Sequence, residues 1–143
     1  MAAESFLAQA LSTLIADFNR RDLKYALAGG WAYSALVEPR ATTDIALLVL
    51  LDQPSREAIR SLLSSQFDAA DSEYLREALA RRRIVSFGSL QVPILALEDL
   101  ILLKTLAGRL QDQADLEKIR ARQNELGVDW AYVEAWKATL GLP

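Results

Sequence analysis

The chain contains no cysteine and no histidine. Without cysteine there is neither a disulfide framework nor a thiolate metal site. Without histidine the Ser-His and Cys-His nucleophile pairs are excluded. So are the commonest zinc sites, and the side chain most used for proton transfer near neutral pH. Chemistry here has to run on Asp, Glu, Lys, Arg, Tyr, Ser or Thr, or on a metal held by oxygen ligands. Positive charge is also in deficit: 16 Lys and Arg against 19 Asp and Glu leave a net charge of −3. That is not the footprint of a general nucleic-acid binder, although Arg81-Arg82-Arg83 forms a local basic run. No apolar stretch reaches the about 20 residues needed to cross a bilayer. Met1-Ala2-Ala3-Glu4 lacks the basic start and apolar core of a signal peptide. A cytoplasmic protein without membrane association is expected.

What is present is ordinary for a globular protein: 143 residues, 52% hydrophobic and 24% charged. A chain of this length suits one domain, 1–143, burying about two-thirds of its unfolded surface. There is no internal repeat or low-complexity linker. Glu4 to Arg20 predicts an amphipathic helix, with Phe6, Leu7, Ala10, Leu11, Leu14, Ile15 and Phe18 on one stripe. Tyr25 to Ala28 reads as a buried strand closed by Gly29-Gly30, followed by a helix from Trp31 to Val37. Asp44 to Leu51, almost wholly apolar after its first residue, predicts a strand buried on both faces. Helices are expected over Pro54 to Ser65 and Ser72 to Arg82, then a hairpin of Arg83 to Phe87 and Leu90 to Leu95 around Gly88-Ser89. Helices at Leu97 to Ala107, Asp112 to Leu126 and Val128 to Leu140 follow, with Gly108 and Gly127 at helix stops. The expected fold class is α/β (α+β): a small mixed sheet covered by helices, with a helical C-terminal third.

Two segments carry chemistry. In the first, Gly29-Gly30 lies between a strand and a helix. Glycines there let backbone approach a ligand closely, and a helix start favours an anion. A plain tight turn explains them equally well. Downstream, Asp44 opens the apolar run, with Arg40 and Thr43 beside it. A carboxylate at a buried strand needs a partner, either Arg40 or a ligand. In the second segment, Lys104 interrupts an apolar helix, and Arg109, Asp112 and Asp115 follow. Lys104 either snorkels to solvent or faces a phosphate. Glu98 and Asp99 suit a helix first turn, and Asp112 an N-cap.

Gly29-Gly30, Arg40-x-x-Thr43-Asp44, then Glu98-Asp99-Leu100-Ile101-Leu102-Leu103-Lys104, Ala107-Gly108-Arg109 and Asp112-x-x-Asp115 together resemble the nucleotidyltransferase superfamily. The resemblance is to the branch that includes the AbiEii-type toxins, and it runs from about Tyr25 to the C-terminus. It implies the nucleotidyltransferase fold and a nucleoside triphosphate bound with Mg²⁺. It further implies an acceptor, whether an RNA end, a protein side chain or a small molecule. Asp44 would hold the metal. Lys104 and Asp112 would take part in catalysis, and Gly29, Gly30, Arg40, Thr43, Arg109 and Asp115 would bind substrate.

The pattern breaks at one place. Members carry Asp-x-Asp on the strand, since residues i and i+2 share a face about 7 Å apart and can hold Mg²⁺ together. Here the second position is Ala46. Asp52 has the right parity but lies roughly 26 Å along a strand. No acid occurs between Glu77 and Glu98, where the following hairpin of the family carries a third carboxylate. The chain is therefore either a pseudo-enzyme, a form inactivated at Ala46, or a user of other acids such as Asp68, Asp71, Asp112 or Asp115. Beside a transferase stands a second reading, an interaction module in a homodimer or a toxin–antitoxin-like pair, with Trp130, Tyr132, Val133 and Trp136 as the contact. A third reading is RNA binding through Arg76 and Arg81-Arg82-Arg83.

Overall fold

The computed structural model describes residues 2–40, 45–50 and 73–143. Among these, a four-stranded mixed sheet is covered by helices and the C-terminal part is helical, the fold class expected. The expected start of a strand at Asp44, the helix at Pro54 to Ser65, and Thr43, Asp52, Asp68 and Asp71 lie outside the described residues.

Helix α1 (Ala2–Arg20) forms because its apolar side chains recur at spacings of three and four. Leu11, Ile15 and Phe18 are buried, whereas Phe6 is 70% exposed, so the buried stripe starts later than its spacing suggests. Phe18 meets Tyr25 edge to face, with ring centroids 5.2 Å apart. Strand β1 (Lys24–Ala28) is central in the sheet order β2-β1-β4-β3, which is why Tyr25 to Ala28 are all buried. Strand β2 (Ala46–Leu50) runs antiparallel to it, with Ala28 opposite Ala46. The apolar run does not become a strand buried on both faces. In the described sheet β2 is marginal, Ala46 is exposed, and Ile45, Leu47 and Leu48 are half-buried. Hydrophobicity alone cannot separate a central strand from a marginal one, because pairing is decided by the tertiary fold.

The hairpin of β3 (Arg83–Phe87) and β4 (Leu90–Ile94) turns at Gly88-Ser89 with Phe87 opposite Leu90, as expected from its two-residue loop. Strand β4 lies parallel to β1, and the pairing is brief: Leu27 stands opposite Ile94, and the Leu95 N–H donates to Leu27 O at 3.0 Å. Pro93, one residue earlier, has no N–H to extend it.

Helix α2 (Gly29–Leu36) begins at the glycines themselves. After α3 (Glu73–Ala80) and the hairpin come α4 (Leu97–Ala107), α5 (Leu110–Ala121), α6 (Gln123–Leu126) and α7 (Trp130–Leu140). Gly108 closes α4 at φ 62°, its N–H donating to Lys104 O at 2.9 Å. The single helix expected from Asp112 to Leu126 starts earlier and is interrupted at Arg122 (φ −111°, ψ 17°). There the Arg122 guanidinium donates to Val37 O at 2.7 Å and pairs with Glu125, a tie to α2 that no local pattern carries. Along α4, Leu97, Leu100, Ile101 and Leu102 enter the core, but Leu106 is 65% exposed. The inward face of the last turn is occupied by Lys104 instead.

Candidate functional site

Lys104 does not snorkel. The residue is 5% exposed, and its ammonium sits between two carboxylates of α5: Nζ donates to Asp115 Oδ2 at 2.7 Å and to Asp112 Oδ1 at 3.3 Å. Asp115 is wholly buried, and its other oxygen accepts from Arg40 Nη1 at 2.6 Å and Gln111 Nε2 at 2.9 Å. Asp112 Oδ2 accepts from Arg109 twice, from the backbone N–H at 3.2 Å and from Nε at 2.8 Å. Asp112 is therefore not the N-cap of α5. It is the third helical residue, reaching back to cap the N–H of Arg109.

Tyr33 of α2 forms the floor of this network. The Arg40 guanidinium carbon lies 4.4 Å from its ring centroid and Lys104 Nζ 5.6 Å, so the ring face adds a cation–π attraction to both. The Tyr33 hydroxyl donates to Glu38 Oε1 at 3.0 Å, and Lys118 reaches the same oxygen at 3.0 Å. Arg40, Lys104, Arg109, Asp112 and Asp115 thus converge from the loop after α2, from α4 and from α5. Two of the three cations keep contact with solvent: Arg40 is 28% exposed at its side chain and Arg109 79%.

Protonation follows from this packing. Burial pushes the Asp115 carboxyl up, but hydrogen bonds from Arg40, Lys104 and Gln111 outweigh it and hold the group below the ordinary carboxylate range. Asp112 behaves alike, with Arg109 and Lys104 as the counterweights. The Tyr33 phenol is pushed up to about 12, first by burial and then by its bond to Glu38. Asp112 and Asp115 are thus carboxylates at neutral pH, and Tyr33 keeps its proton.

The glycine turn lies at the start of α2. Gly29 adopts φ +59°, which glycine enters without strain. A Cβ at this position would stand 3.0 Å from the Ala46 Cβ. Ala46 of β2 is therefore directly against the glycine turn. Gly30 follows in the first turn of α2, and Tyr33 lies about one helical turn further on.

A second buried cluster escaped the sequence reading. Asp99, fully buried, accepts from Tyr74 at 3.0 Å and Tyr132 at 2.7 Å on Oδ1, and from Arg81 Nε at 3.4 Å on Oδ2. Glu98 accepts from Arg81 Nη2 at 2.8 Å and from the Asp129 N–H at 3.1 Å. Burial raises the Asp99 carboxyl, and the two tyrosines and Arg81 only partly offset that. Arg81 also stacks on Tyr132 at 3.8 Å. The basic run is consequently divided: Arg81 holds α4, Arg82 donates to Leu79 O at 2.7 Å, and Arg83 is exposed on β3. The aromatic set of α7 is likewise turned inward. Val133 is buried, Trp136 packs edge to face on Tyr74 at 5.1 Å, and Trp130, Tyr132 and Trp136 are half-buried against the core.

The chain matches no protein-family model and no curated protein. Among the described residues, no three acidic side chains gather where a cation could be held. Ala46 offers a methyl group, the hairpin carries no acid, and Asp112 and Asp115 are already saturated by Lys104, Arg40 and Arg109. These residues do not fit a resident Mg²⁺.

Proposed function

We propose that the chain is a nucleotidyltransferase-like protein that binds a nucleoside triphosphate at the glycine turn, with nucleotidyl transfer weak or lost. The convergence of Arg40, Lys104 and Arg109 with only two carboxylates, beside the helix that starts at Gly29-Gly30, carries this reading. The named groups hold one more positive than negative charge. An anion is the natural complement. In this reading Asp112 and Asp115 aim the exposed guanidinium groups of Arg109 and Arg40 at phosphates, while Lys104 fixes both carboxylates. The backbone N–H groups of the turn add donors at a helix start. Magnesium enters as the counter-ion carried by the triphosphate, and Ala46 stands against the turn that would take the phosphates.

Calorimetric titration with Mg²⁺-bound ATP, GTP, CTP and UTP tests the reading. Binding of one of them should weaken about tenfold or more in Arg40→Ala, the loss of one charge-assisted hydrogen bond. Absence of binding at millimolar nucleotide would overturn it. Ala46→Asp, assayed with labelled triphosphate and a pool of RNA and protein acceptors, distinguishes a disabled transferase from a binding protein. Transfer gained by the substitution identifies the former. The α7 rings are half-buried against the core, which favours the binding reading over a homodimer or antitoxin-like contact through this set.

A further inference from the structure

A recess of about 350 Å³ opens between α1, the first turn of α2 and the tip of the β3–β4 hairpin. Its volume falls in the range of small-molecule sites. Trp31 and Phe87 form its walls, their rings perpendicular with centroids 5.5 Å apart. Leu11 is buried beneath, and Gln9, Ser12 and Ser89 are exposed at the edges. Among the described residues, no charged side chain lines it. The indole N–H of Trp31 is buried and has no hydrogen-bond partner among the described residues. An unmet buried donor is costly, and native structures usually give it an acceptor. Trp31 also follows Gly30 directly, so the recess adjoins the glycine turn.

We propose that this recess seats a planar heteroaromatic ring bearing a hydrogen-bond acceptor, the base of a nucleotide whose phosphates lie at the turn. The inference rests on the triphosphate reading and extends it to the other end of the ligand. The chemistry divides accordingly. Cations gather at Arg40, Lys104 and Arg109, where phosphates belong, and the uncharged aromatic recess offers what a base needs. Indole N–H is a donor only, so the ring edge it meets must be an acceptor, such as a ring nitrogen or a carbonyl. The two rings supply apolar faces for stacking, which any base can use. Gln9, Ser12 and Ser89 provide adaptable polar contacts at the mouth.

The three tryptophans give the test its readout. In the ¹⁵N-labelled 143-residue chain, each indole N–H gives one resonance, and Trp31→Phe assigns that of Trp31. Titration with adenosine, guanosine, cytidine and uridine, which carry no phosphate, should move the Trp31 signal downfield for at least one nucleoside. The Trp130 signal, from an indole that also lacks a partner but lines a different recess beside Arg120, should stay in place. Trp31→Phe keeps a ring and loses the N–H, and should weaken nucleoside binding about tenfold. Ser89→Trp, at an exposed position on the mouth, should abolish binding with unchanged circular dichroism, and serves if Trp31→Phe does not fold. Silence of the Trp31 signal with all four nucleosides at millimolar concentration overturns the inference. If Mg²⁺-tripolyphosphate then still binds in an Arg40-dependent manner, the triphosphate reading survives alone. Nucleoside binding without tripolyphosphate binding supports the ring site and sinks the phosphate reading.

Discussion

Replacing Lys104 with Met keeps most of the side-chain volume and removes the ammonium that Asp112 and Asp115 share. Stripping one partner from a buried ion pair costs about 3–5 kcal/mol, because the remaining charge is left desolvated. Here each carboxylate keeps another donor, Arg40 and Gln111 on Asp115 and Arg109 on Asp112, so the lower end applies, about 3 kcal/mol. With a urea slope of about 2 kcal/mol per molar, the midpoint followed by far-UV circular dichroism should fall by about 1.5 M with the slope unchanged. Arg40→Gln, removing a partly exposed cation, should cost only about 1 kcal/mol. Combining Lys104→Met with Asp115→Asn should recover part of the loss, since the stranded charge is gone. The pH dependence has a definite sign. Asp112 and Asp115 have folded values below their ordinary ones, so their stabilisation is complete above the ordinary carboxylate range and disappears as pH falls through the lower folded values. In Lys104→Met this acid limb, below about pH 4, should flatten. A loss under about 0.5 kcal/mol at neutral pH would show that the ammonium is solvated, and would refute the account of the site.

Asp99→Asn keeps an acceptor for Tyr74 and Tyr132 but turns an amide N–H₂ or a lost charge toward Arg81. About 1–3 kcal/mol of destabilisation is expected in thermal melts. The carboxyl of Asp99 is raised by burial, so wild-type stability should gain as pH falls from the raised value toward the ordinary one, and that gain should vanish in the variant. Gly29→Ala forces a Cβ into a left-handed conformation and against Ala46, costing about 1–2 kcal/mol. Adding Ala46→Gly should relieve the contact but not the strain, giving partial rescue in urea melts. Tyr33→Phe removes the hydroxyl bond to Glu38 and leaves the ring beneath Arg40 and Lys104. It should cost about 1 kcal/mol in urea melts and leave triphosphate affinity unchanged.

Local signals survived into the structure where local chemistry decides. The two-residue turn at Gly88-Ser89 set the hairpin register, and the left-handed glycine at Gly108 set the end of α4. Lys104 was visible because a charge inside an apolar helix has few explanations, and its carboxylate partners lie only 8 and 11 residues further on. Arg40, 75 residues from Asp115, was reached only through its place beside the glycine segment. The Asp99 cluster was not legible. Its partners Tyr74, Arg81 and Tyr132 lie 25, 18 and 33 residues away, on α3, just past its end, and on α7, and Glu98-Asp99 alone looks like an ordinary acidic helix start. The marginal position of β2 was hidden for the same reason, since strand order is a property of pairing and not of composition.

The two halves of the site are held by independent means, and that makes the Ala46 question answerable. The charge network is held together from within by α4, α5 and Arg40, so it does not need a carboxylate at position 46 to stand. The glycine turn is held by the β1–β2 pairing of Ala28 with Ala46 and by the missing Cβ of Gly29. Ala46 is exposed on a marginal strand, and its Cβ already fits against the turn. Ala46→Asp adds atoms beyond that Cβ, at a surface position where a substitution shifts stability by only about 0.5 kcal/mol either way. Its effect on triphosphate affinity and transfer therefore reports on the chemistry of the position and not on a damaged fold. A carboxylate there should tighten binding of the Mg²⁺-bound triphosphate relative to the metal-free form. If the two forms bind the variant equally, position 46 does not face the metal, and the alignment of this strand with an Asp-x-Asp site is wrong.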